Sequence, residues 1–253
     1  MTEYNGTIAS VDKAFDTLEY LRENGKSSLS TIATDLGFTK STAHRHLKTL
    51  ESREYVVGDD GSYRLSLRFL DFGEFTRRRH TEYQLIREKV EALAEQTNER
   101  VQFMVEEHGR AVYVFQQSGQ HAVEADTYPG KRVPIHASAA GLAILSKVGS
   151  DAVDEVVSRH GLIRLTSKTI ADRETLDEEL HKARNRGYSI NDQGVIEGLR
   201  AIGAPVTGPD DEVIGGLSIS GPLNRMEGER FENDLPSLLL GVTNELELNI
   251  AYQ

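Results

Sequence analysis

The chain has 253 residues, enough for one large domain or two ordinary ones. Hydrophobic residues make up 38% and charged residues 27%, which excludes a fibrous chain and argues against wholesale disorder. No cysteine is present, so disulfides, thiolate nucleophiles and cysteine-built zinc sites are excluded. No apolar run reaches the length of about eighteen residues that a membrane helix needs, and the N-terminus lacks a basic-then-apolar leader. The expectation is a soluble cytoplasmic protein. Asn5-Gly6-Thr7 matches a glycosylation sequon, which carries no weight without secretion.

The 29 basic and 40 acidic side chains give a formal charge of −11, which argues against a nucleic-acid partner when the chain is taken whole. Charge acts locally, however. Residues 1–80 hold 12 basic and 12 acidic side chains, and residues 81–253 hold 17 and 28. All the acidic excess lies in the last two thirds, which suggests two modules with different partners.

Val11, Ala14, Phe15, Leu18 and Leu21 recur at helical spacing and predict a helix over 10–24, ended by Asn24-Gly25. Ser28 can cap a short helix that closes at Gly37. Thr39 can cap a third helix, KSTAHRHLKTLES, with Ala43, Leu47 and Leu50 on its apolar face. Two β-rich runs then flank Gly58-Asp59-Asp60-Gly61, a two-stranded hairpin signal. Helix, helix, tight turn, helix and hairpin make a winged helix-turn-helix over 8–66. Residues 66–97 read as mostly helical and charged, with a linker placed at 67–82 and a second module at 83–253.

The second module opens with strand-like VQFMVEEHGRAVYVFQQSG, turning at Gly109, followed by strand and loop over 121–136. Helices are expected at 137–148, 151–160 and 172–186, a hairpin at 200–220 turned by Gly208-Pro209-Asp210-Asp211, and a closing helix at 231–250. Strands and helices mix without a βαβ repeat, so the fold class is α+β.

In a helix-turn-helix the second helix lies in the major groove. With Ala43, Leu47 and Leu50 turned inward, Lys40, Ser41, Thr42, His44, Arg45 and Lys48 are left to face DNA. Arg pairs bidentately with guanine, hydroxyls serve bases or phosphates, and Lys neutralises phosphate. Arg64 on the hairpin is a candidate for backbone or minor-groove contact. A winged helix can also serve as a protein-interaction or sensor module that binds no DNA, which is the alternative reading.

LSTIATDLGFTKSTAHRHLKTLESREYVV followed by GSYRLSLRFLDFG resembles the N-terminal domain of the IclR family of transcriptional regulators. HASAAGLAILS, GYSINDQGVIEGLRAIGAPV and LSISGP are similar to three segments of that family's second domain, in the same order and spacing. The resemblance implies a helical linker and a GAF-like effector domain. It also implies a homodimer, often a dimer of dimers, on partly palindromic operator DNA. It places a pocket for a small organic or aromatic acid at the GAF-like sheet. Carried over by position, backbone amides would come from Ala139, Ala140 and Leu199, and side chains from Asn191, Ala201, Ser218 and Ser220. The residues suit the role. Ala139-Ala140-Gly141 opens a helix whose free N–H groups attract a carboxylate, and Ser218 and Ser220 share one strand face. The chain departs from the family pattern at Asn191, where an acidic residue is common, at Ala201, where cysteine is common, and at His46, where an apolar residue is usual. His46 is either a packing histidine or an added phosphate contact.

His136 reads either as a capping and packing residue or as pocket wall. His108, His121, His160 and His181 lack metal-ligand spacing, and no cofactor motif is found. No P-loop, nucleophile elbow or Rossmann glycine set is present, so an enzyme is not expected. Arg77-Arg78-Arg79 reads as a helix end where cations favour the dipole, or as a DNA-backbone contact. The acidic balance, with 9 Lys against 20 Arg and no Trp, fits a salt-rich cytoplasm such as that of halophilic archaea.

Overall fold

The computed structural model describes residues 6–123 and 126–252. Asn5, in the sequon, and Glu124 and Ala125, in the stretch expected as strand and loop, lie outside the described residues. The chain divides into two compact units, residues 1–79 and 80–253.

In the first unit, α1 (Ala9–Asn24), β1 (Ser27–Ser28), α2 (Leu29–Asp35) and α3 (Lys40–Ser52) precede β2 (Val56–Asp59), β3 (Ser62–Leu65) and α4 (Arg68–Arg78). Ser28 accepts from Thr31 N at 3.2 Å and Thr39 from Thr42 N at 3.1 Å, so each caps its helix through its hydroxyl. Gly37 at φ +67° makes the turn between α2 and α3, where Phe38 N donates to Ala33 O. Leu21, Ile32, Leu47, Leu50, Val56 and Tyr63 form the core. Val11 and Phe15, which share the predicted apolar face of α1, are exposed.

The expected two-stranded hairpin is a three-stranded antiparallel sheet, because Ser27–Ser28 pairs with β3 opposite Ser62 and Tyr63. A two-residue strand has no periodicity to read. Asp60 and Gly61 have φ values of 47° and 76°, the double left-handed geometry of a tight hairpin turn. Lys26 pairs with Asp59 at this turn.

The 66–97 helical stretch is broken at 79–81. The second unit starts with α5 (Glu82–Thr97), then β4 (Arg100–Glu107), β5 (Arg110–Ser118) and β6 (Arg132–Pro134). A short 3₁₀ turn at Ile135–Ala137 leads into α6 (Ala139–Lys147). After α7 (Ser150–His160) and α8 (Arg173–Arg186) come β7 (Ser189–Asp192), β8 (Leu199–Thr207), β9 (Val213–Pro222) and α9 (Leu235–Ala251). The six-stranded sheet is antiparallel throughout, in the order β6-β5-β4-β9-β8-β7. Helix α9 begins later than predicted because a π-helical turn, Arg230–Asp234, precedes it and Pro236 sits in its first turn.

The sheet has two different faces. Val101, Phe103, Ile202, Leu217 and Ile219 pack with α5 and α9 into the larger core. Met104, Tyr113 and Ala140 belong to the second core, with residues of α6 and α8. There α6 lies backbone-on-backbone against the sheet. A Cβ at Gly203 would fall 2.5 Å from Ala139 C, and one at Gly216 would fall 2.4 Å from Ala140 O. Among the described residues, no helix is long and apolar enough to cross a membrane.

Candidate DNA-reading helix and effector pocket

Helix α3 buries Ala43, Leu47 and Leu50, which turns Lys40, Ser41, His44, Arg45 and Lys48 into solvent. Thr42 is half-buried, its hydroxyl 2.9 Å from that of Thr39, so it serves the helix cap. Lys48 is not a free cation: its Nζ lies 2.7 Å from Glu51 Oε2, which raises the lysine pKa and lowers that of the glutamate. Such an exposed pair is weak and screened by salt, so it exchanges readily for a phosphate. Arg64 is exposed on β3, and its guanidinium reaches back to Leu65 O at 3.4 Å. His46 is half-buried with its ring 6.2 Å from that of Phe38. Burial, then Arg45 and Lys13, push its pKa down, which favours the neutral ring.

In the second unit, a cavity of about 60 Å³ opens between the α6 face of the sheet and the loops above it. Cross-strand register builds its floor: Arg100 pairs with Ser220, Gln102 with Ser218, and Ala201 with Ser220 and Asn191. Ser138 and Ala139 close one side, Val195 and Ile196 another, Val123 and Thr127 a third. Ser138 Oγ accepts from Gly141 N at 3.1 Å. Among the described residues no acceptor meets the N–H groups of Ala139 and Ala140, which leaves two helix-end donors uncommitted.

Ala139, Asn191, Leu199, Ala201, Ser218 and Ser220 all line this cavity. Ala140 does not; its side chain is 1% exposed in the core beneath α6. Two residues expected to offer polar groups have committed them elsewhere. Leu199 N donates to Ile196 O at 3.2 Å and closes the turn before β8. Asn191 Nδ2 donates to Ala137 O at 2.5 Å while its Oδ1 accepts from Gly194 N at 3.0 Å. Asn191 thus ties the β7–β8 loop to the turn before α6. Ser218 donates to Gln102 Oε1 at 3.0 Å, and Gln102 Nε2 donates to Ser220 Oγ at 2.8 Å. The relay fixes the glutamine amide and leaves the Ser220 proton available for a ligand. His136 is 2% exposed behind this wall. Burial pushes its pKa down, and its Nε2 donates to Ile163 O at 3.1 Å, so it is a packing residue.

The winged helix matches the IclR helix-turn-helix model over residues 10–60. Residues 79–243 match the model described as bacterial transcriptional regulator IclR C-terminal. The chain belongs to the IclR family of transcriptional regulators. A probable HTH-type transcriptional regulator ArcR from Halobacterium salinarum is 30% identical over 96% of this chain and 94% of its own. The Thermotoga maritima IclR crystal structure superposes with a TM-score of 0.80 at 24% identity, covering 97% of this chain and 100% of that one. An IclR homologue from Microbacterium hydrocarbonoxydans, solved in complex with 4-hydroxybenzoate, gives 0.75 at 24% identity over 95% and 98%. The Halobacterium relative is named as a probable transcriptional regulator.

Within this IclR frame, sequence reasoning missed Arg100, Gln102, Met104 and Tyr113, all on the pocket floor. Arg100 donates to Thr127 Oγ1 at 3.0 Å and to Val123 O at 2.5 Å. Burial pushes the Tyr113 hydroxyl up to about 12, so it remains a protonated donor. Alternation along RVQFMVEE and RAVYVFQQS could have flagged these positions; the side chosen by the pocket could not be read without the register. Arg200 borders the cavity too, but its guanidinium lies on the other sheet face, 4.9 Å from the centre of the Phe231 ring.

Proposed function

We propose that this IclR-type regulator senses a small organic acid in the pocket above β4, β8 and β9, and that occupancy changes the affinity of its winged helix for operator DNA. One observation carries the reading. Arg100 and Ala139, the first residue of α6, line the same cavity. Cation, the Ala139 amide at the helix end and serine hydroxyl suit a carboxylate, while Met104, Val195, Ile196 and Leu199 suit an apolar body. The 4-hydroxybenzoate bound by the Microbacterium homologue has this amphipathic character. Ligand-facing roles are assigned to Ala139, Ser220, Ala201 and Arg100. DNA-facing roles are assigned to Lys40, Ser41, His44, Arg45, Lys48 and Arg64.

The regulator acts as a homodimer in this reading. Phe15 on α1 and Phe75 on α4 are 62% and 68% exposed, and Val11, Leu70 and Phe72 are exposed beside them in sequence. A second copy supplies the cover that such apolar surface calls for, and two α3 helices then match two half-sites. The acid can shift the DNA equilibrium only by favouring one arrangement of the dimer over another.

The test is a gel-shift titration on the DNA upstream of the chain's own reading frame, across salt, with and without acetate, pyruvate, glyoxylate and 4-hydroxybenzoate. Specific binding altered by at least one acid is expected. Absence of specific binding in every condition overturns the DNA reading and favours a winged-helix interaction module.

A further inference from the structure

A buried carboxylate that the pocket does not use lies on the opposite face of its wall. Glu99 immediately precedes β4 and is 1% exposed. A carboxylate so deeply buried is retained only when paired and hydrogen-bonded. Arg225 grips it in bidentate fashion, Nε to Oε1 and NH2 to Oε2, each at 2.8 Å. Arg230 reaches Oε1 at 3.2 Å and also donates to Thr97 O, in the last turn of α5, at 2.8 Å. Arg225 donates again to His121 O at 2.6 Å.

Three pieces of the unit therefore meet at one carboxylate. One is the C-terminal end of α5. The second is the segment at 119–123, where Gly119 N donates to Glu99 O at 2.9 Å. The third is the pocket wall: a Cβ at Gly221, a cavity-lining residue, would fall 2.6 Å from Glu99 Oε2. Segment 119–123 is held from both sides, by Arg225 at His121 O and by the pocket residue Arg100 at Val123 O. An acid that draws Arg100 toward itself pulls on that segment, and the segment is fastened through Arg225 to Glu99 and thence to α5.

We propose that Glu99 is the positioning residue that passes pocket occupancy to α5, with Arg225 and Arg230 as its two arms. This rests on the acid-sensing reading above. Glu99 touches no ligand in this account. Its part is to make the 119–123 segment, the Gly221 wall and the α5 end move as one body, and α5 directly follows the 79–81 break that leads from the winged helix. Coupling between sites in proteins commonly amounts to about 5- to 150-fold in affinity, well within what such a shared ion-pair cluster can carry.

The experiment compares full-length wild type, Glu99→Gln, Arg225→Ala and Arg225→Lys. Acid binding is read by calorimetry with acetate, pyruvate, glyoxylate and 4-hydroxybenzoate, operator affinity by fluorescence anisotropy, and amide exchange at 94–99 and 119–123 by mass spectrometry. For an acid that shifts wild-type operator affinity, Glu99→Gln and Arg225→Ala are expected to bind the acid within about threefold of wild type while the shift falls below about twofold. The acid-induced change in exchange at 94–99 disappears in both, and Arg225→Lys restores part of the shift. A merely structural ion pair would lower the melting temperature and leave the operator shift intact; that result overturns the proposal. If Glu99→Gln does not fold, Arg225→Ala decides alone, since that arginine is partly solvent-exposed. If no acid binds or acts on the wild type, the acid-sensing reading itself falls and the coupling role with it.

Discussion

On α3 the side chains offered to DNA stand in solvent, bound at most by the Lys48–Glu51 surface pair. In the pocket the polar groups are already bonded to one another: Ser218 to Gln102, Gln102 to Ser220, Asn191 to Ala137 O and Gly194 N. The contrast suits the proposed partners. A polyanion brings its own charge and orders mobile cations on contact, so affinity is built from independent and salt-sensitive terms. A small acid brings few contacts, so its site must be held in shape beforehand. Single substitutions on α3 should therefore change binding and leave stability alone, whereas substitutions around the pocket should change both.

The sharpest way to break this contrast is Gly203→Ala. Its Cβ would press on the backbone of Ala139, displacing α6 or straining β8. A loss of about 1–3 kcal/mol in urea unfolding is expected, together with loss of acid response. Unchanged stability with unchanged response would show that α6 does not depend on that close approach. Next comes Arg45→Ala. If Arg45 reads a base, operator affinity falls by about 1–3 kcal/mol, discrimination at one base pair relaxes and the melting temperature stays put. A drop in melting temperature would show that α3 is no more modular than the pocket.

A pH titration probes the buried side. His136 is neutral in the folded unit because burial lowers its pKa from 6.5. The unfolded chain therefore binds the proton first as pH falls, so stability is fully present above about 6.5 and declines below it. His136→Gln should flatten that decline in thermal scans, and an unaltered decline would assign it to other groups. The smallest effect belongs to Lys48→Ala. Operator affinity should weaken about equally on all sequences, with the salt slope falling by about one. A sequence-selective loss would make Lys48 a reader of bases.

The winged helix was legible because its information is local. Thr39 and Ser28 cap the helices, and Ala43, Leu47 and Leu50 share a face within one helix. The pocket was legible only where a run of small residues or paired serines marked it. Arg100 and Gln102 escaped because they meet Ser220 and Ser218 through antiparallel register between β4 and β9, strands distant in sequence, and Tyr113 because the face of the β4–β5 hairpin that lines the pocket is set by that same sheet order. The commitments of Asn191 and Leu199 N escaped because their acceptors, Ala137 O and Ile196 O, sit in turns whose shape no periodicity encodes. Glu99 carries no sequence signal of its own, because its partners Arg225 and Arg230 stand more than a hundred positions later.

The glycines under α6 carry a consequence for how such a sensor diversifies. Where helix backbone rests on strand backbone there are no side chains to exchange, so the α6 end of the pocket is closed to gradual change. Val195, Ile196 and Val123 belong to loops and are bound by no such contact. Under the proposed acid-sensing role, drift in ligand preference is channelled toward the apolar rim, while the α6 end of the pocket is inherited as a unit.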